Sequence, residues 1–426
     1  MSVDRNIPPA LQNVKHLALT YPENKNIAGG HPAFIVHNKD TKLVRIDLMW
    51  PIGFSGKPAY VHRAMSKLVF AGSGSYTAGD IETKLSVLGC EYGFTVYEEH
   101  AILKLTSLKS TFQQALKLFL GFFNKPTFPE KEIHVLKNME SASLQSRFKT
   151  PDYWSAREIT ERLFEASHPK HRISEISDIN SVSKESIVEA HSQYKLNQSI
   201  LFLYGDIDSR IESELSKTIA QYGSYTEIKR NSLDYRTKQV SKGLFRKHIP
   251  NTNQVVLNAA YIKTTITEDK MPLIYLLNMA LGGFFGSRLM KDVREKRGLT
   301  YGIGSRVSLQ NGLFHLQISS QMNSENVDSA ISAIQEILTS LQKEGVKKEE
   351  FSRSKRYFLG QLYRSIDEPH SMLNKVQYSL SKGKALNAFE NKCLAVLNAD
   401  IEDVNDLVND LFRHSDLAWC LAGDVS

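Results

Sequence analysis

Long apolar runs, cysteines and clusters of like charge are all scarce in this sequence of 426 residues. No stretch approaches the roughly eighteen consecutive apolar residues that a membrane span needs, so we expect no transmembrane helix. The three cysteines, Cys90, Cys393 and Cys420, are too few and too scattered for a disulfide framework or a cysteine-based zinc site. The formal net charge of +7 is spread along the chain, which gives little support for nucleic-acid binding.

The N-terminal sequence also lacks the features of an export signal. MSVDRNIPPALQNVKH has no charged start followed by an apolar core. Together with the few cysteines, this predicts a reducing, cytoplasmic location. The location would be periplasmic if a signal peptide had been removed.

Amphipathic periodicity is abundant, and it occurs twice. In the first half, a strand-like run at 43–50 precedes an apolar stripe at helical spacing from Phe112 to Phe123. The second half repeats this order, with a strand at 255–262 and a stripe from Val327 to Leu341. One offset of 218 positions relates three pairs of residues, which indicates a duplication: Phe112 and Ala330, Ile133 and Phe351, and Gly205 and Gly423.

The repeat predicts the fold class and the domain organisation. In each half, strands come early and at the very end, with helices between them. We therefore expect an α+β protein of two homologous domains, each a largely antiparallel sheet with helices packed on one face. The predicted domains are residues 1–223 and 248–426, joined by a polar linker at 224–247.

The stretch 281–301, LGGFFGSRLMKDVREKRGLTY, contains the strongest local signals in the chain. Gly282 and Gly283 are predicted to end the apolar helix that starts at Met271, because paired glycines favour backbone angles that other residues avoid. Ser287 is a suitable N-cap for a second helix, and Gly298 is predicted to end that helix.

Arg294 and Tyr301 lie seven residues apart across the end of this second helix. A guanidinium and a phenol are suitable donors for a peptide carbonyl and for the oxyanion it becomes during hydrolysis. The segment also fits a plain solvated helix face, because its basic residues are typical of one: Arg288, Lys291, Arg294, Lys296 and Arg297.

The segment GGFFGSRLMKDVREKRGLTYGIGS resembles the C-terminal-half signature of the pitrilysin/insulinase family of metallopeptidases, which are inverted zincins. This resemblance implies that Arg294 and Tyr301 bind substrate and help to stabilise the tetrahedral intermediate. It also implies that the Gly-rich turn contributes substrate-binding residues, namely Gly282, Gly283, Phe284 and Phe285.

The zinc motif of that family is degenerate here. Members that cut peptides carry His-x-x-Glu-His, in which the two histidines bind zinc and the glutamate acts as general base. The sequence VFAGS at 69–73 matches the turn that follows the motif, and it places the motif at 63–67. Arg63 and Lys67 then replace the histidines, and Ser66 replaces the glutamate. Two cations cannot ligate zinc, so we expect no metal in this chain.

The third zinc ligand of the family, a glutamate on a later helix, is also missing. Its position falls near Ala142 and Ser143, and the nearest carboxylate is that of Glu140. Elsewhere, His62 and the cluster Glu98-Glu99-His100 are not expected to bind a metal, since histidines beside a turn are usually structural or solvated and the cluster needs no metal to account for it.

Taken over the whole chain, the resemblance is to the zinc-less subunit of a two-subunit peptidase of the mitochondrial-processing-peptidase type. It implies a heterodimer in which a homologous partner holds the zinc and this chain supplies Arg294 and Tyr301 to a peptide or unfolded-polypeptide substrate. Two alternatives stay open. One is a non-catalytic assembly protein of the same fold, like the core subunits of a respiratory complex. The other is a peptide-binding chamber without proteolysis.

Overall fold

The fold is seen in a computed structural model that describes residues 19–54, 56–171, 175–230, 233, 235–238, 243–310, 312–411 and 417–425. In the first half, the strands are β1 (Glu23–Ile27), β2 (His31–His37), β3 (Leu43–Trp50), β4 (Gly72–Ser73), β5 (Tyr76–Thr77), β6 (Glu91–Val96), β7 (Ala101–Leu108) and β8 (Ile200–Gly205). The helices of this half are α1 (Gly56–Leu68), α2 (Ala78–Val87), α3 (Phe112–Asn124), α4 (Glu130–Arg147), α5 (Pro151–Leu163), α6 (Ile176–Ser181), α7 (Lys184–His191) and α8 (Ser209–Ala220).

The second half follows a similar order of elements. Its strands are β9 (Gly243–His248), β10 (Val255–Lys263), β11 (Gly302–Gln310), β12 (Leu313–Met322) and β13 (Ala418–Gly423). Its α-helices are α9 (Met271–Asn278), α10 (Val327–Glu344), α11 (Lys348–Arg364), α12 (Ser371–Ser381), α13 (Ala388–Asn398), α14 (Ile401–Asp406) and α15 (Val408–Leu411). Two further segments, Met279–Gly283 and Met290–Lys296, are π-helical.

The strand order confirms the predicted α+β duplication. Among the described residues, the first sheet runs β1-β2-β8-β3-β7-β6, and the second, read from its β9 edge, runs β9-β13-β10-β12-β11. Apart from β1, the strands correspond one to one. Each sheet is antiparallel except for one parallel pair, β2 with β8 and β9 with β13. The residues Ile133 and Phe351, which the offset of 218 positions relates, lie on α4 and α11.

The offset of 218 positions has a direct structural cause at its last pair. Gly205 and Gly423 end the equivalent strands β8 and β13, with φ of 134° and 140°. A Cβ atom would lie 2.1 Å from the carbonyl oxygen of Leu43 at Gly205, and 2.3 Å from that of Gln254 at Gly423. Only glycine fits a positive φ and such a close backbone approach, so both halves need it at the same place.

Each sheet has a main core on one face. In β3, Ile46, Leu48 and Trp50 are fully buried in the first core. In β10, Val255 and Leu257 are buried in the second core. Alternate strand residues face opposite ways, so the intervening side chains point to the other face of each sheet.

That other face is covered by one helix from the opposite half. Helix α12 packs Leu373 and Val376 against Met49 of the first sheet. Helix α5 packs Ile159 and Leu163 of the first half onto the second sheet. We call α5 and α12 the exchanged helices; they tie the two domains together through buried apolar surface.

A buried carboxylate adds a polar connection between the domains. Glu99, at the turn between β6 and β7, is 5% exposed. Its carboxylate accepts hydrogen bonds from Gln310 at 2.8 Å and from the hydroxyl of Tyr235, and it pairs with Lys382 at 2.9 Å and Arg230 at 3.6 Å. The charge of Glu99 is therefore balanced by side chains from the linker and from the second half.

The predicted linker at 224–247 is too long at its C-terminal end. Residues 243–248 form β9, which pairs in parallel with β13 of the second sheet. Part of the predicted linker, within 231–242, lies outside the described residues. Among the helices that the structure describes, none is both long and apolar enough to cross a membrane.

Candidate functional site

An ion pair lies at the degenerate zinc motif. Lys67, in the last turn of α1, donates to the carboxylate of Glu140 on α4. Lys67 stands where the second histidine of the motif would be, and Glu140 is the carboxylate nearest to the expected third ligand. An ion pair therefore joins the second motif position to the carboxylate nearest to the expected third ligand.

The other two motif positions do not form a metal site either. Ser66 turns inward and donates to the carbonyl oxygen of Arg63, at 2.8 Å, one turn earlier. The guanidinium of Arg63 lies 5.9 Å from the ring centre of Tyr60. Burial raises the pKa of Tyr60 to about 12, and the negative charge of Glu140 adds to this shift. A guanidinium, an ammonium and a hydroxyl that is hydrogen-bonded within its own helix are not zinc ligands. These three residues therefore do not form a zinc site.

His62 is part of the core packing. Its ring stacks on Phe54 with the ring centres 3.4 Å apart, and its Nδ1 shares a hydrogen bond of 2.9 Å with the hydroxyl of Tyr194. Burial lowers the pKa of His62 to about 4, so the ring is neutral at physiological pH. Within the described ranges, no group of three or more His, Cys, Asp and Glu side chains could hold a metal ion.

The helical stretch that starts at Met271 ends at Gly283, as the sequence predicts, but the predicted cause is wrong. Helix α9 ends at Asn278 but continues as the π-helical segment Met279–Gly283, so Gly282 and Gly283 lie inside a helical stretch. Neither glycine has a positive φ. The expectation that they adopt angles barred to other residues is therefore wrong.

Close packing is what requires Gly282, whereas at Gly283 the nearest neighbour is the flexible end of the Met279 side chain. A Cβ atom on Gly282 would lie 2.5 Å from Oγ of Ser305 on β11 and 2.7 Å from Cδ1 of Leu289. On Gly283 it would lie 2.9 Å from the sulfur of Met279. The end of the helical stretch therefore packs directly against β11, and this contact positions Phe284 and Phe285, which follow.

The second helical segment, Met290–Lys296, ends as the sequence predicts. Gly298 has φ of 65°, and its amide donates to the carbonyl oxygen of Arg294 at 3.2 Å. Ser287 precedes the segment, but the distance from its Oγ to the amide of Met290 is 3.5 Å, so its cap is weak.

The structure brings Arg294 and Tyr301 together with Phe285. Nε of Arg294 donates to the backbone carbonyl of Tyr301 at 2.9 Å. The guanidinium carbon lies 4.8 Å from the ring centre of Phe285. The side chain of Tyr301 is 91% exposed and that of Phe285 is 59% exposed. We call Phe285, Arg294 and Tyr301 the aromatic–arginine surface.

Phe284 has a different role from its neighbour. Its ring stacks on Tyr357 of α11, with the ring centres 4.7 Å apart. It therefore anchors the turn while Phe285 stays exposed. Sequence reasoning missed Tyr357, and no local pattern identifies it, because the contact joins segments more than seventy positions apart.

The predicted site residues thus fall into two groups. Arg63, Ser66 and Lys67 lie on α1 in the first half, where their polar contacts lead to α4 and to α1 itself. The aromatic–arginine surface lies in the second half: Phe285 is in the turn, Arg294 is on the helical segment Met290–Lys296, and Tyr301 directly precedes β11. Within this chain, the two groups belong to different domains.

Comparison with known proteins agrees with both halves of this description. The family model described as "Insulinase (Peptidase family M16)" matches residues 63–165. The model described as "Peptidase M16 inactive domain" matches residues 181–358. Together they cover the degenerate motif, the Gly-rich turn and the aromatic–arginine surface.

Similar proteins and structures extend over most of the chain. It is 22% identical to "Uncharacterized zinc protease YmxG" of Bacillus subtilis (strain 168), over 82% of this chain and 84% of that protein. It is 25% identical to "Probable inactive metalloprotease YmfF" of the same organism, over 59% of this chain and 58% of that protein.

A crystal structure of a peptidase M16 inactive domain from Pseudomonas fluorescens shares the fold. It has a TM-score of 0.81 and 20% identity, covering 96% of this chain and 98% of that one. The two family models, the sequence relatives and this shared fold agree with the motifs at 63–73 and 282–301. The chain therefore belongs to the pitrilysin/insulinase family of metallopeptidases, peptidase family M16, and it carries Arg63, Ser66 and Lys67 at the positions of the zinc motif.

Proposed function

We propose that this chain is the non-zinc-binding subunit of a heterodimeric zinc metallopeptidase. One observation carries the proposal. Tyr301 is exposed, and Arg294 beside it donates a hydrogen bond to the carbonyl oxygen of Tyr301. At the zinc motif of this chain, by contrast, Lys67 forms an ion pair with Glu140. A homologous partner with an intact motif would bring the zinc, and the substrate would be a peptide or an unfolded polypeptide segment.

Tyr301 suits the role of oxyanion donor. Its hydroxyl forms no hydrogen bond with any residue that the structure describes, and its side chain is almost fully exposed. Arg294 holds the backbone of Tyr301 and can still donate through its terminal nitrogens. Donors placed where negative charge develops are typically the largest single contribution to catalysis of this kind.

The alternatives explain these features less directly. A purely structural subunit needs neither an exposed phenol nor an exposed phenyl ring beside an arginine. Exposed apolar rings that are grouped together, unlike single exposed side chains, tend to mark binding surfaces. A cytoplasmic location is part of the proposal, and it is supported by the three cysteines, which are all free.

The test is turnover by a reconstituted complex. The chain is co-expressed with homologues that carry His-x-x-Glu-His, and stable complexes are isolated by size-exclusion chromatography. Tyr301→Phe removes one donor and keeps the ring, so we expect kcat to fall by about 10²–10³. Arg294→Ala should lower kcat and raise KM, because a guanidinium can serve both the bound substrate and the transition state.

Lys291→Ala is the matched control, since Lys291 is an exposed cation on the same helical segment. It should leave turnover within about twofold, as expected for a surface charge outside the site. Full turnover by both Tyr301→Phe and Arg294→Ala in a verified complex would reject the catalytic contribution and favour a structural or peptide-binding role.

A further inference from the structure

The guanidinium of Arg294 is held in one orientation, which is unusual for an arginine at the surface. Its Nε donates to the carbonyl oxygen of Tyr301, and its guanidinium carbon lies over the ring of Phe285, 4.8 Å from the ring centre. Its two Nη atoms donate to no residue that the structure describes. These atoms form the planar fork that matches the two oxygens of a carboxylate, whereas a single carbonyl oxygen uses only part of it.

The positive charge of Arg294 is also not balanced locally. Neighbouring arginines are paired: Arg297 with Asp292 at 2.7 Å and Arg288 with Glu350 at 2.8 Å. Among the described residues, no carboxylate forms an ion pair with Arg294. The field at this surface therefore favours an anionic ligand.

Exposed aromatic rings flank the fork. Phe285 is 59% exposed and Tyr301 is 91% exposed, although large apolar side chains are usually covered. A ligand carboxylate on the guanidinium would place an adjoining side chain against these rings. Burial of an apolar side chain there is favourable by roughly 25 cal/mol for each Å² removed from water.

We infer that the aromatic–arginine surface binds a carboxylate that lies next to an apolar side chain in an extended peptide. The inference deepens the proposed function, on which it rests, because it names the chemistry of the substrate at the same residues. Two sources supply that chemistry. One is the free C-terminal carboxylate of a peptide, and the other is an internal aspartate or glutamate beside an apolar residue.

Peptide binding to the full-length chain alone tests the inference, with fluorescence anisotropy of fluorescein-labelled peptides as the readout. The first arm compares two forms of a short peptide that ends in leucine: one with a free C-terminal carboxylate and one with a C-terminal amide. The second arm uses amidated peptides only and compares an internal Asp-Leu with Asn-Leu. We expect about tenfold or greater preference for the charged member in at least one arm, since hydrogen bonds to charged groups are the stronger ones.

Variants of the chain test whether the aromatic–arginine surface causes the carboxylate preference. Arg294→Lys keeps the charge but loses the fork, and it should reduce the preference to about twofold or less. Phe285→Ala should weaken binding of both members of a pair by a similar factor, because it removes apolar contact rather than charge. Lys291→Ala should keep the preference. Circular dichroism verifies that each variant is folded.

Equal binding within both arms, or an unchanged preference in Arg294→Lys, overturns the inference. Its failure can be told apart from failure of the proposed function. Turnover that depends on Tyr301 without carboxylate preference rejects only the inference. Carboxylate preference in a chain for which no zinc-bearing partner yields turnover rejects only the proposed function.

Discussion

Glu99→Gln tests whether the buried carboxylate between the two domains stabilises the whole chain. The substitution keeps the shape of the side chain and removes its charge. In the native protein, that charge faces the ammonium of Lys382 at 2.9 Å and the guanidinium of Arg230 at 3.6 Å. Gln310 and Tyr235 donate to the same carboxylate.

The expected loss follows from the burial of both partners. Glu99 is 5% exposed and the side chain of Lys382 is 18% exposed. Breaking a fully buried ion pair by removing one partner costs about 3–5 kcal/mol. Lys382 keeps some contact with water, and the amide of glutamine can still accept hydrogen bonds. We therefore expect Glu99→Gln to lower the free energy of unfolding by about 2–3 kcal/mol at pH 7.

The effect should depend on pH with a definite sign. Burial by itself would raise the pKa of Glu99, but hydrogen bonds from Gln310, Tyr235 and Lys382 outweigh it and lower that pKa below its ordinary value of 4.5. At pH values between the folded pKa and 4.5, Glu99 is therefore charged in the folded state but already protonated in the unfolded chain. Its stabilisation is complete above about 4.5 and is lost as the pH falls through the folded pKa.

Urea unfolding followed by tryptophan fluorescence and circular dichroism, at pH 7 and at pH 4, measures the difference. Glu91→Gln is the matched control, because Glu91 lies on the adjoining strand β6, is 76% exposed and meets Lys104 at 3.2 Å. Such a surface pair contributes about 0–1 kcal/mol. If Glu99→Gln unfolds within about 0.5 kcal/mol of the native protein at pH 7, the carboxylate does not hold the domains together.

Two further predictions concern the turn and the degenerate motif. Gly282→Ala should destabilise the chain by about 1–3 kcal/mol in the same unfolding assay, because the added methyl group would meet Ser305 at 2.5 Å. The native chain should purify without stoichiometric zinc. Arg63→His combined with Lys67→His should bind zinc, measured by metal analysis, because Glu140 already contacts position 67 and supplies a carboxylate two or three positions from that of the family's third ligand.

Each of these predictions has an internal control. Gly360→Ala, also in a helix but with open space around the new methyl group, should be neutral or stabilising by up to about 1 kcal/mol. Equal destabilisation by Gly282→Ala and Gly360→Ala would contradict the packing argument. Adding Glu140→Gln to the double histidine variant should abolish zinc binding. One zinc per native chain would disprove our interpretation of the motif.

Local chemistry in the sequence was sufficient to predict the duplicated architecture. The apolar stripes of α3 and α10 recur at helical spacing, and a strictly local rule, the burial of one helix face, converts that spacing into structure. Gly298 was correctly predicted to end a helix because its requirement for a positive φ depends only on its own backbone. The replacement of the zinc ligands could likewise be recognised from the sequence, since the type of a side chain determines whether it can bind zinc.

The tertiary structure alone decided which surfaces meet. The apolar residues of α5 and α12 indicate that something covers them, but periodicity does not say that each covers the sheet of the opposite half. The reason for Gly282 lies in Ser305, on a strand that follows more than twenty positions later. The pairing of Lys67 with Glu140 and the orientation of Arg294 against Phe285 also depend on distances between separate elements. Sequence spacing does not determine such distances, because packing sets them only when the whole chain has folded.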